Sequence, residues 1–279
     1  MKPSQALAQS VSVIVTSVGM ICGVATVPTF AATLATSASE VNLDNFSHTP
    51  LQIETLADTK TVTVASDGQV AVSAIANATF LPNPSDQMTQ VHNISLSTAR
   101  GEGDSYLGLA ESLAAVIGYN FRVEAGETFS FDFDAILGLE TSIDSPTFEQ
   151  ANAEADILLT LYESNSSSGL ADMQVLDFLS LSGELTTSKA GDFLNHNHSS
   201  SITYAPGTVF DTSFGDNQET AIAFVQGSFS RTFDSLTYLT LVEIKTNQAN
   251  VKTTPEYSSL FALLVFGLFA IRSKVKSQP

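Results

Sequence analysis

Hydrophobic and polar residues alternate with a period of two through much of the middle of the chain. Phe129, Phe131 and Phe133 are separated by single polar residues, and a Gly-Glu pair at 126–127 precedes them. Successive side chains of a β-strand point to opposite faces, so the pattern predicts a turn and then a strand with one buried face and one solvated face. The same alternation recurs in residues 151–161, 175–181 and 229–244.

A tight turn is expected at Asp67-Gly68. Valines alternate with threonines in residues 61–64, and the alternation resumes in residues 70–72. An Asp-Gly pair readily adopts the positive φ angles of a two-residue turn, so this pattern predicts a β-hairpin.

One stretch fits two kinds of secondary structure. The apolar residues of 106–117 are spaced by three and four, as on a helix, but they also fit a strand, which we favour. Strand signals at modest spacing, without intervening helices, predict an all-β domain. We expect an antiparallel β-sandwich, with a jelly roll as one candidate arrangement, flanked by an N-terminal signal helix and a short C-terminal apolar helix.

The beginning of the chain has the order of a secretory signal. Lys2 precedes an uncharged apolar stretch at 11–27, and small residues follow it, including Ala31 and Ala32. This order predicts removal of the segment by signal peptidase near Ala31 or Ala32, with an uncleaved membrane anchor as the alternative. Cys22 follows a bulky isoleucine, which favours an apolar residue of the signal over a lipid-attachment site.

The end of the chain combines a Pro-Glu pair, an apolar run and a basic cluster. Pro255 and Glu256 precede the twelve residues 260–271. A helix of that length spans about 18 Å, less than the roughly 30 Å hydrocarbon core of a bilayer. The predicted membrane segment and its basic end include Leu260, Phe266, Ile271, Arg272, Lys274 and Lys276. The basic cluster is expected on the cytoplasmic side, which leaves the rest of the chain outside.

This tail resembles the PEP-CTERM sorting signal, which exosortases recognise in Gram-negative bacteria and related enzymes recognise in cyanobacteria. The resemblance covers roughly the last tenth of the chain, and Tyr257 stands where the family has a second proline. It implies cutting at Pro255-Glu256 by an exosortase-like membrane protease, with an ordinary tail anchor as the alternative. A looser resemblance, from residue 101 to 133, is to secreted cyanobacterial PEP-CTERM proteins, and it implies a cell-surface or extracellular-matrix protein.

We therefore expect a signal peptide at 1–31, a linker at 32–45, a β-sandwich at 46–249 and a sorting segment at 250–279.

The 29 Asp and Glu residues outnumber the 11 Lys and Arg residues, for a net charge of -18. Four basic residues lie in the terminal segments, and without them seven remain, which makes the charge -22. Such a surface repels nucleic acid and anionic lipid. It is compatible with divalent cations or a hydrated exopolysaccharide.

Two patterns offer metal ligands. His196 and His198 would project to one side of a strand, although their polar neighbours favour an exposed loop. Asp132 and Asp134 share a strand face and carry the oxygen ligands that calcium prefers. No EF-hand loop accompanies them, so we favour a solvated face and assign no cofactor.

The sequence contains no G-x-S-x-G motif, no phosphate-binding glycine loop and no H-E-x-x-H motif, so a non-enzymatic exported protein is predicted. Its expected route is an inner-membrane intermediate and then the cell surface or extracellular matrix. One alternative is a carbohydrate- or calcium-binding module. Tryptophan is absent, and the tyrosines that would replace it are Tyr106, Tyr119, Tyr162 and Tyr204. A secreted hydrolase, which needs two converging carboxylates, is a further alternative.

Overall fold

The computed structural model describes residues 32–81, 89–164, 173–187 and 191–253. These ranges contain β-strands and no helix, which confirms the all-β prediction. Both predicted terminal helices lie outside the described residues. Across the same ranges no helix is present that could cross a membrane. The strands are β1 (Ala32–Asp44), β2 (Gln52–Leu81), β3 (Gln90–Val123), β4 (Thr128–Ser142), β5 (Glu149–Ser164), β6 (Gln174–Thr186), β7 (Phe193–His198), β8 (Ile202–Tyr204), β9 (Val209–Ser213), β10 (Gln218–Thr232) and β11 (Thr237–Thr253).

All eleven strands belong to one antiparallel sheet. Its order is β7-β6-β5-β11-β3-β1-β4-β10-β8, with β2 beside β3 and β9 beside β10. The long strand β3 links two parts of the sheet, because β1 pairs with its first half and β11 with its second half. The ambiguous stretch at 106–117 belongs to β3, so the preference for a strand is confirmed.

Strand β3 is folded back on itself. The hydroxyls of Ser97 and Ser112 lie 2.9 Å apart, although the two residues are 15 positions apart in sequence. A straight strand would separate them by about 50 Å. The bend therefore lies between them, near Gly103.

The predicted hairpin at Asp67-Gly68 is wrong, because β2 continues through it. The dipeptide forms a bulge opposite Gly103, where the pairing of β2 with β3 shifts register. Gly68 and Gly103 have φ angles of 150° and 100°. A Cβ on Gly103 would lie 2.6 Å from the Cα of Gly68, so glycine permits two backbones to touch at the bend.

The bend gives the sheet two facing layers. One layer contains β1, β4, β10, β8 and β9, and the other contains β11, β5, β6 and β7. At the far side the two ends of the sheet meet, where the ring of His196 on β7 stacks on Phe210 of β9 at 4.1 Å. One flattened, barrel-like sheet thus nearly closes on itself. The predicted sandwich and jelly roll, which need two separate sheets, are corrected, because periodicity predicts faces and not connections.

The expected linker at 32–45 is also corrected, because residues 32–44 are strand β1. This strand pairs with β3 on one side and β4 on the other. Its inward side chains are Thr33, Ala35, Ser37, Ser39, Val41 and Leu43, all of them buried. Small and hydroxyl side chains dominate that face, so the alternation of hydrophobic and polar residues is weak in the sequence. The folded domain also extends past residue 249, to Thr253.

Two apolar clusters form the core. Among the described residues, the larger contains six phenylalanine rings in contact, with neighbouring centroids 5.0 to 6.5 Å apart: Phe46, Phe80, Phe121, Phe129, Phe131 and Phe229. Burying each such ring contributes about 2 to 3 kcal/mol. The smaller cluster lies near the bend and includes Ala99, Tyr106 and Val251. The predicted burial of residues 129, 131 and 133 and the turn at Gly126 are confirmed.

Candidate functional site

Both ends of the described domain lie at the bend. Ala32 pairs with Glu102, and Lys252 pairs with Leu107 on the other side of the bend. The backbone N–H of Ala32 donates to the Asp144 carboxylate at 2.8 Å. The predicted processing and membrane residues beyond them lie outside the described residues: Ala31, Pro255, Glu256, Leu260, Phe266, Ile271, Arg272, Lys274 and Lys276.

The histidine pair lies on strand β7 rather than in the expected polar loop. Besides the stacking of His196 on Phe210, the ring of His198 lies 4.4 Å from the ring of Tyr204. His198 Nδ1 also lies 2.9 Å from the backbone carbonyl of Ser199. The two imidazoles therefore pack with aromatic rings where the sheet nearly closes.

Asp132 and Asp134 lie on the outer face of β4, in a row of carboxylates with Asp44 and Glu40 of β1. Asn45 Nδ2 donates to Asp132 at 2.8 Å, and Gln226 Nε2 donates to Asp134 at 2.7 Å. Within the described ranges, no group of three His, Cys, Asp or Glu side chains has an arrangement that could hold a metal ion.

Electrostatics differ along this acidic row. Burial raises the pKa of Asp134, and the nearby charges of Asp132 and Glu40 raise it further. The pKa of Asp44 is raised for the same reason, by burial and then by Asp132 and Asp134. The pKa of Glu40 is lowered, chiefly because His92 hydrogen-bonds to its carboxylate. Asp44 and Asp134 therefore hold a proton more readily than isolated aspartates would, and Glu40 holds one less readily than an isolated glutamate.

The four tyrosines considered for sugar binding do not converge. Tyr106 is 4% exposed and contacts the Thr33 hydroxyl inside the fold. Tyr119, near the C-terminal end of β3, donates to Glu54 at 3.0 Å. Tyr204 lies against the histidines at the closing edge, while Tyr162 belongs to the opposite layer. The structure does not bring them together as a platform for a sugar ring.

Two open grooves cross the strands around β11. The first has a volume of about 350 Å³ and crosses β2, β3, β11 and β5. Lys60 donates to Glu111 at 3.1 Å beside it. The second has a volume of about 470 Å³ and lies over β5, β6 and β11, where its lining includes Asn152, Glu184 and Lys252. Both linings include amide, carboxylate and ammonium groups.

A buried polar band separates the two apolar clusters, and sequence reasoning missed it. Asn93 of β3 contributes to it from one layer, and Glu243, Lys245 and Asn247 of β11 contribute from the other. Lys245 Nζ donates to the backbone carbonyl of Asn93, and Asn93 Nδ2 donates to Glu243. Lys245 Nζ lies 3.7 Å from Glu243 Oε1.

The pKa of both ionisable groups in the band is shifted by burial. Burial lowers the pKa of Lys245 to about 8, even though Glu243 acts in the opposite direction. Burial also raises the pKa of Glu243, against the charge of Lys245. Burial thus favours the neutral amine and the neutral carboxylic acid. The burial of Glu243 and Lys245 could have been predicted from the sequence. Both residues continue the alternation of the inward-facing Leu239 and Leu241 along β11.

No protein-family model matches the chain, and no curated protein matches it. Among solved structures, the chain is similar to the translocator domain of the autotransporter NalP from Neisseria meningitidis. The identity is 12%, the match covers 90% of this chain and 98% of that one, and the TM-score is 0.20. At that TM-score the two chain paths do not superpose, so the likeness bears on neither fold nor function.

Proposed function

We propose that the protein is exported, trimmed at both ends and kept at the cell surface or in the extracellular matrix as a non-enzymatic, acidic β domain. Signal peptidase would cut near Ala31 or Ala32, and an exosortase-like protease would cut at Pro255-Glu256. The described domain begins and ends within three residues of these positions, at Ala32 and Thr253. Cuts at Ala31 and at Pro255-Glu256 would leave the paired residues of β1 and β11 in place, which supports the proposal.

The contact between Ala32 and Asp144 carries this proposal. A cut between Ala31 and Ala32 would turn the Ala32 nitrogen into an ammonium group, 2.8 Å from the Asp144 carboxylate. The hydrogen bond would then join two charges and become stronger. Strand β1 would keep every pairing that the structure describes for it, since these begin at Ala32.

The position of both ends also suits attachment to a membrane. During export both terminal segments would be held in the inner membrane, and both leave the domain at the bend. The domain would therefore stand on the bend, with the turn at Gly126 at the far end. This arrangement needs no rearrangement of the sheet when either segment is removed.

Exopolysaccharide is the proposed surrounding of the mature domain. The two grooves are open, and the amide, carboxylate and ammonium groups in their linings can exchange hydrogen bonds with sugar hydroxyls. The acidic surface keeps the domain soluble in a hydrated matrix and away from nucleic acid.

Intact-mass analysis of the protein recovered from the cell envelope tests the processing. The expected species begins at Ala32 or Thr33, ends near Pro255 and lacks Lys274 and Lys276. A double substitution, Pro255→Ala with Glu256→Ala, should leave the tail in place, whereas Thr254→Ser should be trimmed normally. A mature species that keeps Lys274 and Lys276 in the unsubstituted protein would contradict the proposal.

A further inference from the structure

Asn93, Glu243 and Lys245 form a three-residue cluster that is closed to solvent. Each side chain is 0% exposed. Asn93 belongs to one layer of the folded sheet, while the other two residues belong to the facing layer, 150 and 152 positions away in sequence. The amine and the carboxyl group of β11 both contact Asn93, Lys245 through the backbone carbonyl and Glu243 through the side-chain amide.

As separate groups, these side chains are an unfavourable choice for a protein interior. Removing a lysine and a glutamate from water costs several kcal/mol per ion, and hydrophobic residues of similar size often give a more stable fold. The cluster is also incompletely paired, since no donor among the described residues hydrogen-bonds to Asn93 Oδ1 or Glu243 Oε1. A role beyond packing is therefore indicated.

Asn93 differs from Asn247, the neighbouring buried amide. Asn247 Oδ1 accepts a hydrogen bond from Ser39 at 2.9 Å, and its Nδ2 donates to the carbonyl of Ser95 at 2.6 Å. Both ends of the Asn247 amide are thus occupied. The amide of Asn93 keeps its oxygen unpaired, with an amine and a carboxyl group beside it.

We propose that Lys245 and Asn93 become joined by a side-chain amide bond, an isopeptide bond, that forms inside the folded protein with Glu243 as the proton-transfer group. The Lys245 amine attacks Cγ of Asn93, and the new bond is Nζ–Cγ. The Cγ–Nδ2 bond breaks, and its nitrogen leaves as ammonia. The ammonia takes one proton from the Lys245 nitrogen, which Glu243 transfers, so Glu243 is regenerated and no oxidant or other reactant is needed.

The surroundings favour each part of this reaction. Nucleophilic attack requires a neutral amine, and burial lowers the pKa of Lys245 to about 8. Burial raises the pKa of Glu243, which favours its protonated form. After a 180° flip of the Asn93 side-chain amide, this carboxylic acid can donate a hydrogen bond to the amide oxygen. The packed fold holds the reacting groups together and excludes water that would compete for Cγ.

The bond would also remove the burial cost. A titratable amine and a carboxamide would be replaced by one neutral secondary amide, so Lys245 could no longer take up a charge inside the fold. The cross-link would join the two layers covalently. It would do so in a domain without cysteine, since Cys22 lies in the predicted signal segment.

Mass spectrometry of the full chain, as purified, tests the bond directly. The intact protein should be lighter than its sequence, after any trimming of its ends, by one molecule of ammonia. Trypsin cuts after Lys and Arg, and it should fail at a cross-linked Lys245. The expected product is a branched species in which residues 61–100 and 232–252 are joined between Asn93 and Lys245.

Variants separate this bond from other losses of ammonia. Glu243→Gln keeps both reacting residues and should reduce cross-linking at least tenfold, while Lys252→Gln, at an exposed lysine of the same strand, should leave it complete. Cleavage after Lys245 in the unsubstituted protein would overturn the proposal, whether Asn93 is then intact, converted to aspartate or cyclised to a succinimide. The digest of unsubstituted protein gives this answer even if Glu243→Gln does not fold.

Discussion

At the scale of single residues, the bend depends on the contact between Gly68 and Gly103. Both backbones have positive φ angles, and the two chains approach so closely that a Cβ on Gly103 would enter the space of Gly68. A flexible side chain could move away, but the obstructing atoms here are backbone. Glycine at 103 is therefore required for steric reasons as well as for its φ angle.

Gly103→Ala is expected to lower the free energy of unfolding by about 2 to 4 kcal/mol, because it adds a clash to the backbone strain. Gly126→Ala is the matched control. Gly126 also has a positive φ, of 85°, but a Cβ there meets nothing within 4 Å. Its cost should be about 1 kcal/mol. Urea denaturation of both variants measures the difference, and equal losses would show that contact at the bend is unimportant.

At the scale of strands, β2 is a long strand whose first half is exposed. Within the described ranges β2 pairs only with β3, and residues 54–69 are exposed on both faces. Leu56 and Val64 are each 57% exposed, and Lys60 is the only cation of the strand. Edge strands of this length offer a row of unpaired backbone groups to other chains.

Hydrogen exchange should therefore differ between β2 and β11. Strand β11 pairs with β3 on one side and β5 on the other, so its amides are expected to open only with the fold as a whole. The amides of residues 54–69 should exchange at least tenfold faster, as measured by mass spectrometry of peptic peptides. Equal protection would mean that another chain covers the free edge of β2.

The strands also show what the sequence could predict. Faces built from large apolar residues, as in β4 and β5, followed directly from the alternation. Strand β1 could not be predicted in this way, because Ser37 and Ser39 occupy its inner face. Asp67-Gly68 predicted a turn, but the structure has a β-bulge there. The inward positions of Glu243 and Lys245 were readable in β11. Their partner Asn93 was not, because strand periodicity does not predict which distant strands face each other.

At the scale of the whole molecule, one sheet forms both layers, and the buried polar band connects them. Ser95 and Ser112 hydroxyls lie 2.7 Å apart across the layers, and Ser97 donates to the carbonyl of Asn247 at 3.1 Å. These hydrogen bonds fix the relative position of the two layers. Apolar packing alone would specify that position less well, because it is not directional. A bond between Asn93 and Lys245 would close a loop of about 150 residues and, by chain entropy, stabilise the fold by about 5 kcal/mol.

The segment 32–253 is expected to fold without either terminal segment. Every strand pairing that the structure describes lies within it, including those of β1 and β11 at its two ends. Urea unfolding of this segment should give one transition that coincides by circular dichroism and tyrosine fluorescence. Two separate transitions would mean that the layers unfold independently, and the absence of any transition would mean that a terminal segment is needed for folding.

Ala32 and Thr253 lie on either side of the same bend, so both ends of the described domain are on one side of the molecule. If copies of the domain were linked end to end, neighbouring domains would therefore pack side by side and would not extend in a line. For the same reason, the domain could be spliced into a surface loop of an unrelated host while the strands of both proteins stay in place.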